Sequence, residues 1–134
     1  MGGHGTLSLA LKHLRLFQSV SALAPICAHS LCPWGLKVFA GYLGRDPTAW
    51  QAHDSSALMA AKPSAPFPRS ILIDQGMADK FLPTQLFPEK FEDACQSVGH
   101  PVNLRRHPGY DHGYYFITTF MADHLPHHAA ALTT

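Results

Sequence analysis

Charge is the first thing this sequence has little of. Only 14% of its residues are Asp, Glu, Lys or Arg, and the two signs nearly cancel to a formal net charge of +1. No basic cluster breaks that balance, which excludes an extended nucleic-acid or anionic-membrane surface, since either needs several Lys or Arg on one face. No run of eighteen apolar residues is present. The Gly-rich start also lacks the basic region and apolar stretch of a signal peptide, so the cytoplasm is the expected compartment. Cysteine is scarce too. Cys27, Cys32 and Cys95 are an odd number at spacings that fit neither a zinc site nor a disulfide framework, and they read as reduced, buried thiols. Histidine is not scarce, and His107 with His112, or His124 with His127 and His128, invite a metal. However, HExxH and clustered Cys/His spacings are missing, so neither a metal nor any other cofactor is expected.

What is there is enough for a core: 134 residues, 46% of them hydrophobic, which fits one globular domain. In chain order, Leu7, Ala10, Leu11 and Leu14 fall at i, i+3, i+4 and i+7, so a helix is expected over 6–17, with Leu9 and Leu16 making contact on a second side. A short strand of small residues follows over 19–24, ended by Pro25. Small side chains let helices close on both faces of a parallel sheet, which favours a doubly wound α/β core. Residues 28–68 are rich in Pro, Ala and Ser and read as an excursion from the sheet, with short helices over 34–43 and 48–61, the second begun by Asp46-Pro47. Such an excursion is where α/β enzymes build substrate walls, and Trp34 is the wall candidate, with a core anchor as the alternative. Residues 69–76 form the clearest strand, because consecutive Ile71, Leu72 and Ile73 imply burial on both faces. A helix over 87–98, an outer strand over 102–107 and a final helix complete the chain. The last carries Phe116, Ile117, Phe120, Met121, His124 and Leu125 as a stripe, with a kink or restart at Pro126.

Chemistry concentrates at two turns. After the buried strand and Gly76 comes a carboxylate, Asp79; after the outer strand, Gly109-Tyr110-Asp111-His112-Gly113 lifts a histidine to the sheet edge. Strand-acid, helix, strand-histidine is the last part of a Ser…Asp…His hydrolase in its α/β order. Asp74 and Asp111 compete with Asp79 for the acid: Asp74 lies on the strand with its direction set by the pleat, and Asp111 would have to fold back on its neighbour. The serine is missing. Met1-Gly2-Gly3-His4-Gly5 looks like the residues just after a nucleophile elbow, and three glycines in an opening helical turn, costing roughly 1 kcal/mol each, imply close backbone approach. Ser8 is no substitute, because it lies about 10 Å along the helix at 1.5 Å per residue.

These segments, with Ala24-Pro25-Ile26-Cys27, Cys32-Pro33-Trp34-Gly35, Gly41-Tyr42-Leu43-Gly44 and Leu72-Ile73-Asp74-Gln75-Gly76, resemble the C-terminal half of the S-formylglutathione hydrolase family, also called esterase D, beginning just after its nucleophile serine. The resemblance implies half of an α/β-hydrolase domain over 1–134. It implies Asp79 and His112 as catalytic acid and base, the backbone N–H of Met1 as one oxyanion donor, and a small thioester or ester as substrate. S-Formylglutathione would be cleaved to formate and glutathione in formaldehyde detoxification, and the full-length protein could pair as a homodimer. A chain without the serine is expected to be inactive alone. The alternatives are a non-catalytic remnant that pairs with another subunit, and an esterase of the same fold with another substrate. Half of the neighbours of the strand at 19–24 would be absent, so association or partial order is expected of the isolated chain.

Overall fold

The computed structural model describes residues 1–133. Its centre is a parallel sheet of three strands, β1 (Ser21–Leu23), β2 (Ile71–Gly76) and β3 (Val102–His107), in that spatial order. Parallel neighbours need long crossovers. Helices α2 (Pro33–Leu43), α3 (Pro47–Gln51) and α4 (Ser55–Ala60) lie between β1 and β2, and α5 (Pro88–Ser97) lies between β2 and β3. The first helix, α1 (Gly2–Lys12), precedes β1, and the last, α6 (Tyr114–Leu132), follows β3.

Pleat alternation assigns the two faces. Ile71 and Ile73 of β2, with Val20 and Ala22, pack into a core with Leu7, Leu11, Met59 and Phe91, so α1, α4 and α5 form one layer. The residues between them, Ser21 and Asp74, meet α6 on the opposite face. All six residues of β2 are buried because it is sandwiched in every direction. The fold class read from the sequence, an α/β sheet covered on both faces, is the one observed. Cys27, Cys32 and Cys95 are buried free thiols, and burial pushes Cys95 up to about 12, so it stays protonated and inert at neutral pH.

Element boundaries moved for identifiable reasons. The first helix begins at Gly2 rather than residue 6 and ends at Lys12, where His13 N–H bonds back to Leu9 and Ala10 and turns the chain away, leaving Leu14 and Leu16 exposed. Of the opening glycines, Gly3 alone is in tight contact: a Cβ there would lie 2.9 Å from the Leu23 carbonyl oxygen and from Pro25 Cα, whereas Gly2 and Gly5 face open space. The strand expected over 19–24 is only three residues long, since Ala24 adopts a left-handed φ of 43° ahead of Pro25. The helix expected over 48–61 is two. Asp54, buried at the break, caps α4 at Ala57 N–H and also accepts from the N–H and hydroxyl of Ser30, tying two loops together. A π-type turn, Leu82–Leu86, precedes α5 and was not anticipated. Helix α6 runs through Pro126 without a restart, held to β1 on both sides of the proline by His124, His127 and His128. Its sheet-facing side is Phe116 and His124, while Met121 and Leu125 of the expected stripe are exposed.

One buried carboxylate joins the sheet to α6. Asp74 accepts from Arg105 Nε and Nη2 at 2.6 Å each, from His107 Nε2 at 2.7 Å and from His124 Nε2 at 2.8 Å. Burial alone would raise its pKa. The hydrogen bonds from His124, Arg105 and His107 outweigh that and hold it well below the usual carboxylate range. Since a carboxylate can only accept, His124 donates through Nε2, and for neutral rings the donor order then follows along a chain. Ser21 O–H donates to His124 Nδ1 (2.7 Å), His128 Nε2–H to Ser21 Oγ (2.8 Å), and Ser19 O–H to His128 Nδ1 (2.7 Å). Arg105 also reaches Asp123 on α6 at 2.8 Å.

Two outcomes are expected of this framework. Asp74→Ala, which strands Arg105 and two histidines at a buried site, should cost about 3–5 kcal/mol in urea unfolding, and a loss under 1 kcal/mol would contradict the role given to it. The second concerns His29, buried between His4 and Phe39 and held down to about 4 chiefly by desolvation. The unfolded chain takes up this proton near 6.5 and the folded chain does not until about 4, so this group's contribution to stability is complete above 6.5 and is lost as pH falls toward 4. The slope should be on the order of 1 kcal/mol per pH unit for one such group, read from urea unfolding at several pH values; a flat profile would contradict it.

Candidate active site

The two turns singled out in the sequence meet at the carboxyl ends of β2 and β3. Met77 N–H donates to His107 O and Ala78 N–H to Tyr110 O, both at 2.9 Å, so the backbones of the two turns are in contact. Gly76 makes that contact feasible: a Cβ on it would lie 2.4 Å from the Tyr110 carbonyl oxygen. Beyond, Gly109 takes a φ of 80°, in the left-handed region that favours glycine, and turns the chain back over Gly76. Asp111 Oδ1 accepts from Gly113 N–H at 2.8 Å and so stabilises the turn on which His112 sits.

Asp79 and His112 lie side by side, Nδ1 of the imidazole 2.5 Å from Oδ2 of the carboxylate. The carboxylate is 3% exposed and fixed by two other donors, Phe81 N–H to Oδ1 at 2.8 Å and Gln75 Nε2 to Oδ2 at 3.3 Å. Because the carboxylate accepts, Nδ1 carries the proton and Nε2 is left as the ring's basic nitrogen. Phe81 packs edge-on against the imidazole, with centroids 5.3 Å apart. The histidine side chain is 38% exposed and stands between two hollows of about 460 Å³ each. One is shared with Met1, Gly2, Ile117 and Met121; the other is lined by Ala78, Lys80, Phe81 and Asp111.

The other candidates fall into place around this pair. Met1 is exposed at the mouth of the first hollow, its carbonyl accepting from Gly5 N–H at 2.9 Å. Trp34 is part-exposed rather than a core anchor; its backbone N–H donates to Gln85 Oε1, and its ring lies 4.7 Å from Phe81, forming an aromatic string that ends at His112. Asp74 is committed to Arg105, His107 and His124, and Asp111 to its own turn, so neither is beside the His112 ring nitrogens. Ser8 is buried on α1, its hydroxyl donating to Gly5 O. The histidines that suggested a metal are engaged in hydrogen bonds to Asp74, Asp79, Val20, Ser19 and Ser21.

Sequence reading missed Gln75 and the Ser19–His128–Ser21–His124 string. Gln75 was visible as a polar residue at the end of an apolar strand, four before Asp79. The i, i+3, i+4 spacing of His124, His127 and His128 marks one helix face, but their partners come from a strand a hundred residues earlier. Ser21, His124 and Asp74 reproduce the order of a catalytic triad by distance alone. Here Ser21 opens β1, its oxygen already bonded to His128, and Asp74 is shared with Arg105 and His107.

The family model described as "Putative esterase" matches residues 1–127. The S-formylglutathione hydrolases of Arabidopsis thaliana and Mus musculus are each 51% identical to this chain over 98% of its length, which is 46% of theirs. The solved S-formylglutathione hydrolase of Agrobacterium tumefaciens superposes with a TM-score of 0.92 at 46% identity, again over 98% of this chain and 46% of that one. At 18% identity, dipeptidyl peptidase 4 of Porphyromonas gingivalis superposes with a TM-score of 0.62 over 92% of this chain and 18% of that one, a likeness of fold alone. The chain thus spans about half the length of the curated relatives it matches. A match over nearly every residue, on a parallel sheet wound with helices on both faces, makes this chain a member of the esterase family of α/β hydrolases, homologous with S-formylglutathione hydrolases.

Proposed function

We propose that this chain carries the acid–base half of a serine thioesterase site for S-formylglutathione, the nucleophile coming from the part of the protein's relatives that it does not span. The observation that carries this reading is the Asp79–His112 pair, whose free Nε2 stands at a hollow shared with Met1. In that site His112 Nε2 takes the serine hydroxyl proton as the oxygen bonds to the thioester carbonyl carbon. It returns the proton to the glutathione thiolate as the carbon–sulfur bond breaks. Water then attacks the formyl ester, giving its proton to His112; the serine oxygen leaves with that proton, and formate is released. Asp79 fixes the Nδ1–H tautomer and stabilises the imidazolium. Met1, when peptide-linked, offers a backbone N–H to the oxyanion, completed by a donor from elsewhere. The excursion over 28–68 serves as substrate wall through Trp34, whose ring packs against Phe81 from the turn after β2. Such an activity belongs to cytoplasmic removal of formaldehyde.

The test is a chimera in which the portion of the Arabidopsis relative that precedes the matched region is fused ahead of Met1. It should hydrolyse S-formylglutathione and react with a fluorophosphonate probe, whereas this chain alone should do neither. In the chimera, His112→Ala should lower kcat by about 10²- to 10⁴-fold or more, and Asp79→Asn by on the order of 10⁴-fold. A folded chimera without activity, or one indifferent to His112→Ala, would overturn the reading.

A further inference from the structure

Gln75 stands where the fold asks for an apolar residue. It shares the pleat face of Ile71 and Ile73, which pack among Leu7, Met59 and Phe91, and it has no exposed surface. Met77, Leu82, Phe87 and Pro88 help line the hollow of about 230 Å³ beside it. Gly76 O and Asp79 Oδ2 can only accept, so the amide turns its nitrogen to them, at 2.9 and 3.3 Å. Its own oxygen, Oε1, is left buried with no donor among the described residues. Arg106, which lines the same hollow, is turned to Glu92. A buried acceptor without a donor costs the fold about as much as one or two well-made hydrogen bonds return.

The fold receives little in exchange. Gly76 O also accepts from Asp79 N–H at 3.4 Å, and the Asp79 carboxylate keeps Phe81 N–H on Oδ1 and His112 Nδ1–H on Oδ2. Neither acceptor would be bare without Gln75. What the amide adds is a second fixed donor on the carboxylate, placed on the same oxygen that receives the imidazole proton. Held at Oδ1 alone, the carboxylate is free to pivot about its Cβ–Cγ bond, a soft torsion, and to carry Oδ2 off the line of the His112 N–H. A protein donor on each oxygen stops that pivot. Phe81 N–H belongs to the turn after β2, whereas Gln75 is rooted in β2 itself, the fully buried strand, so the second anchor comes from the more rigid element.

We propose that Gln75 is a positioning residue of the Asp79–His112 pair, kept in an apolar face at a cost to stability so that Oδ2 stays on the line of the His112 N–H. The orienting part of this role rests on the geometry alone, and its effect on turnover rests on the functional reading above.

The experiment replaces Gln75 by methionine, which keeps the length of the side chain and removes its polar atoms. In the 134-residue chain, Gln75→Met should unfold in urea at a midpoint equal to or above that of the parent. The His112 Nδ1 proton of the neutral ring, followed by NMR, should nevertheless exchange with water at least about tenfold faster, because the pair opens more often. In the covalent chimera, kcat for S-formylglutathione should fall about ten- to a hundredfold, the scale of a small misalignment near the reacting atoms, with KM within about twofold of the parent. Should methionine fail to pack, Gln75→Leu repeats the comparison. A lowered midpoint in both variants would make Gln75 a residue of the fold, and an Nδ1 proton that exchanges as in the parent would leave the carboxylate oriented without it; either result would overturn the proposal. Faster exchange with kcat unchanged would overturn the part in catalysis. A folded chimera that is inactive with Gln75 in place would overturn the functional reading instead, and the exchange measurement would still decide whether Gln75 orients the pair.

Discussion

The arrangement depends first on Asp74, a carboxylate with no exposed surface surrounded by N–H groups from β3 and α6. An ionised group at such a site is stable only when its acceptor capacity is met, and Arg105, His107 and His124 meet it from two elements at once. The turn that carries His112 is the link between those two elements, β3 and α6. Fixing both therefore fixes the turn. His107 adds to this by stacking on Phe120 of α6, with centroids 3.6 Å apart.

Two aspartates five residues apart illustrate how environment divides labour. Asp74, itself fully buried, points from the strand onto Arg105, His107 and His124 and serves the fold. Asp79, just past the strand, is enclosed on one side by Gln75 and the Phe81 amide and meets a part-exposed imidazole on the other. The difference follows from the pleat: position 74 lies on the α6 face of β2, whereas position 79 lies beyond Gly76, where the chain has left the sheet and the turn at 109–112 crosses it.

Much of this was legible in the residues. Ile71-Leu72-Ile73 announced a central strand, a glycine opened each of the two turns, the order of acid and histidine pointed to a hydrolase, and the quoted segments pointed to the family. Less legible were features set by distant contacts. The split between α3 and α4 depends on Asp54 capping one helix while holding Ser30 of another loop. The continuity of α6 through Pro126 depends on histidines bonded to β1 on either side of it. Met121 and Leu125, exposed, line the hollow beside His112 instead of packing on the sheet.

The central claim is that contacts within the chain hold His112 in the Nδ1–H tautomer, the one the proposed mechanism requires. Long-range ¹H–¹⁵N correlation of the imidazole nitrogens at neutral pH tests it most directly. For the neutral ring, the proton is predicted on Nδ1 of His112, downfield and slowly exchanging, with Nε2 bare. A ring protonated at Nε2, or one averaging between tautomers as a free imidazole does, would contradict it.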